Sequence, residues 1–479
     1  MFIKSIYFCE VKKKNFLIHQ LKIEDYAAEG KSIGRLDGKV IFIEGTVPGD
    51  VADIWITKSK KDWAEGKIDK LINPSKQRIN SFCQHFGICG GCKWQMLTYE
   101  QQLIYKQKEV EDNLTRIGKI NIPEIEPIIG SIETQYYRNK LEFTFSERRY
   151  KTRAELQQED GLDGKKELGA LGFHVPKIFD KVIDIETCYL QPAPSNDLRN
   201  AVRAFAHQHQ LPFYNVRLHT GWLRNMMVRT CTTGEWMVNI VLAYEDAIIQ
   251  KKLLDFIVQQ FPTITSLYFT INEKLNDSIY DLTPQLYYGK PYIQEKLYHF
   301  IFNISPKSFF QTNTKQAENL YRVTSNFAEL TGKEIVYDLY CGTGSIGLFV
   351  SPMAAKIIGI ETIDDAAKDA QLNAKINNIQ HAHFITGDVV KICTDDFFIQ
   401  HGKPDVIITD PPRAGMHEKL IRKLLDIQAP IIVYVSCNTA TQARDLQFLN
   451  EKYMVTKVQP VDMFPHTHHI ENVVQLRLK

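Results

Sequence analysis

From residue 335 onward the chain is paced by short apolar runs that alternate with helical stretches: Ile335–Tyr340, Lys356–Glu361, His383–Thr386, Asp405–Asp410, Ile431–Ser436 and Asn472–Leu478. Runs this short and this apolar read as strands buried on both faces. The helical stretches between them are the crossovers that parallel strands require. The pattern predicts an open α/β sheet over residues 305–479. Ligands of such sheets bind beyond the carboxyl ends of the strands, so the residues that close each run carry most of the information.

The first run leads into VYDLYCGTGSIGL (336–348), a strand, a glycine loop and a helix. Gly342-x-Gly344-x-x-Gly347 matches the dinucleotide fingerprint, which keeps open an NAD(P)-dependent oxidoreductase, with an iron–sulfur centre if the cysteines below hold one. Asp338, at the strand end, is awkward beside a pyrophosphate, which wants N–H donors and positive charge. It suits a ligand that carries an ammonium group. Asp-x-x-x-Gly-x-Gly resembles the glycine loop of S-adenosylmethionine-dependent methyltransferases. KIIGIE (356–361) puts Glu361 where a carboxylate can accept both ribose hydroxyls. FITGD (384–388) puts Asp388 where it can accept from an adenine amine. Each of these acids also has a plainer reading as a helix cap or turn residue.

DVIITDPPRAGM (405–416) is a strand that ends in Asp410-Pro411-Pro412-Arg413. Two prolines fix φ and remove two N–H donors, leaving carbonyls free to accept from a planar ligand. The loop is similar to the substrate loop of methyltransferases that act on nucleobases. If the acceptor is C5 of a pyrimidine, it has no lone pair. A thiolate must first add to C6, and a base must later remove the C5 proton. YVSCNT (434–439) places Cys437 at the end of the next strand. Alone it reads as a buried core cysteine; beside the glycine loop and Asp410 it reads as a nucleophile. NTATQARDL looks like a helix start with Thr439 as its cap, and a helix N-terminus lowers a thiol pKa. Glu471, in DMFPHTHHIENVVQLRL, immediately precedes the last strand and is the candidate base, with His466, His468 and His469 as competitors.

The earlier chain has other textures. Val40–Ile43 and Val51–Thr57 read as strands joined by a Pro48-Gly-Asp turn, and the glycine-punctuated stretch 14–75 suggests a small closed barrel. Tyr99–Ile117 has helical spacing, with Leu103, Val110, Leu114 and Ile117 on one stripe, and Gly118 closes it. Strand-like runs follow at 140–146, 226–230 and 236–242, and the polar stretch 151–169 reads as an exposed loop. With 58 basic and 56 acidic residues the chain carries a net charge of +2, which excludes a strongly basic nucleic-acid coat but not a local basic face. No apolar run is long enough to span a membrane, and the start of the chain is a poor signal peptide. A cytoplasmic protein with reduced thiols is expected, and the odd count of nine cysteines also argues against a disulfide framework.

Taken together, SPKSFFQTN (305–313), YDLYCGTGSIGL (337–348), DPPRAG (410–415), VSCNTATQARDL (435–446) and DMFPHTHHIE (462–471) resemble the RNA uracil-5-methyltransferases, in particular those with a TRAM domain and an iron–sulfur centre. The resemblance covers nearly the whole chain. It implies Cys437 as nucleophile and Glu471 as general base. It implies Gln311, Tyr340, Glu361, Asp388 and Asp410 in the donor and target site, with Ser345 at a further donor contact. It implies a seven-stranded Rossmann-like sheet whose last strand runs antiparallel. The expected domains are a TRAM barrel (1–75), a central α+β iron–sulfur and RNA-binding region (76–304) and the methyltransferase domain (305–479). The expected substrate is RNA, 23S ribosomal RNA first and transfer RNA as the rival.

Cys83-x5-Cys89-x2-Cys92 brings three soft ligands close in sequence, and Cys188 offers a fourth. Spacing alone fits zinc or an iron–sulfur cluster; the resemblance implies [4Fe–4S] on Cys83, Cys89, Cys92 and Cys188. Lys12–Lys14, Lys58, Lys60 and Lys61 beside Trp63 suit RNA contact by the barrel, with Arg138, Lys140, Arg148 and Arg149 extending the track.

Overall fold

The computed structural model describes residues 16–152, 155–157 and 168–479, so Lys12–Lys14 and much of the stretch 151–169 lie outside the described residues. The chain forms two compact units. One runs to Gly87 and takes in Cys92–Tyr105 and His466–His468; the other holds Ile88–Gly91, Lys106–Pro465 and His469–Lys479.

In the first unit, β1 (Phe16–Tyr26), β2 (Ser32–Leu36), β3 (Lys39–Glu44), β4 (Val51–Ser59) and β5 (Trp63–Asn73) close into a barrel in the order β1-β2-β3-β5-β4. Period-two alternation fills it: Ala52, Ile54 and Ile56 are buried while Trp55 faces outward. The turn expected at Pro48-Gly-Asp is held by Asp50, which accepts the Val47 N–H and the Ser75 N–H, each at 2.8 Å, and pairs with Arg78 at 2.5 Å. The helix Tyr99–Asn113 follows its expected stripe through Val110 and Leu114. Ile117 is exposed, because the helix ends in a π-type turn, Leu114–Gly118, that rotates the register.

The second unit begins with a sheet of β6 (Lys140–Ser146), β7 (Ala170–Val175), β8 (Ile178–Asp184), β9 (Leu223–Thr230), β10 (Trp236–Leu242), β11 (Ser266–Ile271) and β12 (Gln285–Gly289). Its order is β12-β11-β10-β9-β6-β7-β8. The three runs expected to be strands are β6, β9 and β10. A hairpin, β13 (Ile293–Leu297) and β14 (Phe300–Ile304), and the helix Thr314–Ala328 lead into a second sheet.

That sheet comprises β15 (Ile335–Leu339), β16 (Lys356–Glu361), β17 (Ala382–Thr386), β18 (Val406–Thr409), β19 (Ile431–Ser436), β20 (Tyr453–Val461) and β21 (Glu471–Leu478) in the order β17-β16-β15-β18-β19-β21-β20. Only β21 runs antiparallel to its neighbours, and β15 to β19 pair in parallel. Val336, Ile357, Ile408 and Val433 pack on one face and Tyr337, Ile358, Ile407 and Ile432 on the other. Burial on both faces is why these strands read as unbroken apolar runs. β20 was not expected. It is an edge strand with Lys457, Pro460 and a bulge, and edge positions tolerate both residues. Strand order reverses between β15 and β18, which opens a crevice at their carboxyl ends. No helix of the described residues is long and apolar enough to cross a membrane.

Candidate functional site

A cleft of about 980 Å³ lies at that switch point. Tyr340, Glu361, Asp410, Cys437 and Glu471 line it, each at or just beyond a strand end, together with Gln311. The register explains the convergence. Leu339 pairs with Thr409, so Tyr340 and Asp410 leave adjacent strands side by side. Ser436 pairs with Asn472 across an antiparallel ladder, so Cys437 and Glu471 stand next to each other although 34 positions separate them in the chain. Tyr340 adopts a left-handed φ of 61°, a conformation a non-glycine residue keeps only under constraint, with its N–H bonded to Ile360 O at 3.0 Å. Gln311 is buried, and Asn139 fixes its segment: Asn139 Nδ2 donates to Gln311 O at 2.8 Å and the Asn139 N–H to Thr312 O at 2.7 Å.

The acids divide by role. Glu361 accepts the Gly342 N–H at 3.0 Å and the Ile363 N–H at 2.9 Å. A carboxylate has about four lone-pair sites, so acceptor capacity remains for a ligand in the cleft. Asp338 does not line the cleft, contrary to the expectation that it meets an ammonium group. It is buried under the glycine loop and its Oδ2 accepts the Gly347 N–H at 2.8 Å. A Cβ at Gly347 would stand 2.8 Å from that oxygen, so the close approach requires glycine. Burial, with the fields of Asp410 and Glu361 behind it, holds the Asp338 carboxyl up at about 7. Asp388 is the cap of the short helix Val389–Ile392, accepting the Val390 N–H at 2.9 Å, and does not line the cleft. Ser345 also lies off the lining; its hydroxyl bonds Tyr321 Oη at 2.8 Å.

At the Cys437 end the electrostatics run against an ionised thiol. Burial first, then Glu471 and Asp410, push the Cys437 thiol up to about 12, with Arg413 opposing. The cap of the following helix is Asn438, not Thr439: Asn438 Oδ1 accepts the N–H groups of Ala440 and Thr441. A backbone hydrogen bond at Cys437 lowers the thiol but does not outweigh burial. Thr439 is buried and bonds Asn113 Nδ2 at 2.7 Å. Asp410 and Glu471 are both raised, burial being the main cause. In Glu471 the nearby Asp410 adds to it while Arg413 opposes, and two such carboxyls favour holding one proton between them.

Reading by motif missed three contributors. Phe309 and Phe464 line the cleft as apolar surfaces, and Arg138, assigned to an RNA track, lines it with its guanidinium 5.2 Å from the Phe464 ring centroid. SPKSFFQTN and DMFPHTHHIE carry both aromatics, but nothing local says which ring turns inward. The rest of that track is paired with acids: Lys140 with Glu142 at 2.7 Å, Arg148 with Asp180 at 2.5 Å, and Arg149 with Glu155. On the barrel, Lys58 Nζ stands 4.8 Å from the Trp63 ring centroid.

The structure does not support the cluster expected on Cys83, Cys89, Cys92 and Cys188. Among the described residues no group of three or more His, Cys, Asp or Glu side chains is placed to hold a metal ion. Cys83 and Cys92 belong to the first unit, Cys89 and Cys188 to the second. Cys89 Sγ accepts from the Gly91 N–H at 3.4 Å.

Comparison with known proteins agrees with this geometry. A family model for tRNA (Uracil-5-)-methyltransferase matches residues 283–479, and one for the TRAM domain matches residues 14–68. An uncharacterized RNA methyltransferase of Bacteroides thetaiotaomicron is 53% identical over 95% of this chain and 100% of its own length. One from Porphyromonas gingivalis is 47% identical over 95% and 99%. The solved structure of Pyrococcus abyssi tRNA (uracil-54, C5)-methyltransferase in complex with S-adenosyl-L-homocysteine is 28% identical. It matches 95% of this chain and 100% of that one, with a TM-score of 0.73.

Proposed function

The chain belongs to the S-adenosylmethionine-dependent RNA uracil-5-methyltransferase family, and we propose that it methylates C5 of a uridine through a covalent adduct between Cys437 and C6. The observation that carries this is the juxtaposition of Cys437 and Glu471 across the β19–β21 ladder, in a cleft that also holds Asp410. The donor sulfonium sits over the glycine loop, with Glu361 accepting its ribose hydroxyls. Cys437 Sγ loses its proton to solvent and bonds C6, and C5 becomes an enolate carbon. C5 takes the methyl group as the sulfonium S–CH3 bond breaks. Glu471, as carboxylate, removes the C5 proton; the C6–S bond then breaks and the thiolate returns. Burial raises Glu471, which suits it to take a proton and hold it. Gln311, Tyr340 and Asp410 are proposed to orient donor and base. Ser345 and Asp388 are proposed as further donor contacts, although neither lines the cleft as it stands.

The proposed target class is 23S ribosomal RNA, read with the barrel as an RNA-binding module and the three-part division 1–75, 76–304 and 305–479. A second reading, transfer RNA, is favoured by the likeness to the Pyrococcus abyssi enzyme, which spans the same extent of chain. In either RNA the uracil must leave its stack to reach Cys437. The proposed setting is the cytoplasm, where thiols stay reduced.

RNA carrying 5-fluorouridine traps the adduct, because fluorine cannot leave as a proton does. The wild-type protein is expected to form the adduct. Cys437→Ala should lose it while still binding S-adenosylhomocysteine, and Glu471→Gln should accumulate it on ordinary RNA. An adduct that persists in Cys437→Ala refutes the nucleophile. Mapping 5-methyluridine in ribosomal and transfer RNA from cells lacking the protein decides between the two targets.

A further inference from the structure

The proposed reaction places negative charge on Cys437 Sγ twice, before addition to C6 and after elimination. The neighbours that define the site, Asp410 and Glu471, are acids, and the helix terminus beyond Asn438 is occupied by its own cap. We propose that Arg413 is the counterion of the Cys437 thiolate, delivered to it by a clasp between the loop after β18 and the helix after β19.

The clasp is built from Cys437's own continuation. Asn438 Nδ2 donates to Arg413 O at 3.0 Å and Thr441 Oγ1 to the same carbonyl at 3.2 Å. Beyond it, Arg444 Nη2 donates to Ala414 O at 3.0 Å, and Asp445 Oδ2 accepts the Met416 N–H at 2.7 Å. Gly415 lies flat against this helix with φ +77°; a Cβ there would stand 2.6 Å from Arg444 Nη2 and 2.7 Å from Asp445 Oδ2. The left-handed φ favours glycine there, and the four bonds tie the loop from Arg413 to Met416 to the helix. Asn438 therefore caps the helix with one end of its amide and holds the Arg413 carbonyl with the other, which ties the backbone of the loop to the helix that follows the thiol; the exposed Arg413 side chain lines the same cleft as Cys437.

The other cations of the cleft are committed elsewhere. Lys307 pairs with Asp365 at 3.1 Å, Lys368 with Asp364 at 2.5 Å, and the Arg138 guanidinium lies over Phe464. Among the described residues Arg413 is the one cation whose field acts on both Cys437 and Glu471. The charged and titratable groups facing the thiol are thus Asp410 and Glu471 against it and Arg413 for it, with Arg138 and His469 further along the lining. The inference rests on the reading of Cys437 as nucleophile.

The test follows the rate of Cys437 alkylation by iodoacetamide in the full chain, read by peptide mass spectrometry at fixed pH values from about pH 7 to about pH 10. Alkylation forms the S–C bond with loss of iodide and needs the thiolate but neither donor nor RNA. Arg413→Gln is expected to lower the thiolate fraction and slow alkylation about tenfold at each pH. Arg413→Lys keeps the charge and should restore most of the rate. An unchanged rate in Arg413→Gln overturns the proposal, as does an unchanged rate accompanied by weakened RNA binding, which would make Arg413 a phosphate contact. Failure of the wild-type protein to trap 5-fluorouridine RNA would sink the nucleophile reading instead, whatever Arg413 does to alkylation.

Discussion

Asp338 offers a sharp separation between a ligand contact and a structural brace. It is 1% exposed, and its Oδ2 takes the Gly347 N–H at 2.8 Å. Its carboxyl is held at about 7, where an unburied aspartate lies at 3.8; burial is the main cause, and the Gly347 N–H opposes it. The folded protein therefore binds this proton more tightly than the unfolded chain does. The associated stability is fully present below the unfolded value, declines above it, and is lost once pH has risen through the folded value. The gap amounts to about 4 kcal/mol. Asparagine at 338 keeps an amide oxygen for the Gly347 N–H and removes the charge. The advantage of Asp338→Asn over the parent should be near zero at about pH 4 and approach about 4 kcal/mol at about pH 8. Urea unfolding followed by far-ultraviolet circular dichroism at stepped pH measures it. A difference that stays constant across that range would refute burial as the source of the shift. Because the side chain lies off the cleft, S-adenosylhomocysteine should bind the variant within about tenfold of the parent by calorimetry (tenfold being about 1.4 kcal/mol). A complete loss of binding in a stable variant would return Asp338 to the donor site.

Two further perturbations probe the supports of the site. Lys106 and Asp462 are both fully buried and bonded at 2.6 Å, and Lys106 Nζ also donates to Phe464 O at 3.1 Å, bracing the turn that leads to Glu471. Lys106→Met strands the Asp462 charge and should destabilise the protein by about 3–5 kcal/mol, with Lys106→Met/Asp462→Leu recovering most of it; a single variant that melts like the parent would exclude the brace. Gly415→Ala meets both a left-handed φ of +77° and the contacts at 2.6 and 2.7 Å. It should cut methyl transfer by at least about tenfold through displacement of the Asp410–Met416 loop, since the left-handed backbone alone opposes a side chain by about 1–2 kcal/mol. S-adenosylhomocysteine affinity should change little, and full activity would show that the loop has slack.

What could be read in advance, and what could not, follows the range of the forces involved. β15 to β19 were legible because a strand buried on both faces has no choice but an apolar run. β20, with one side open, accepts Lys457 and Pro460 and leaves no such run. The meeting of the strand-end residues was legible for the same reason: a parallel sheet delivers successive strand ends to one edge, which is where Glu361, Asp410 and Cys437 stand. The direction each side chain then takes was not. Asp338 and Glu361 both close strands, yet one turns under the glycine loop because Gly347 admits it and the other faces the cleft. The cap moved by one residue, from Thr439 to Asn438, because the extended backbone of Asn438 (φ −141°, ψ 97°) aims its amide at the first turn. Burial raises the Cys437 thiol most, and the charged side chains that act on it, Glu471, Asp410 and Arg413, come from other strands and loops. The field at Cys437 is set by tertiary neighbours, which the residues beside it in sequence do not reveal.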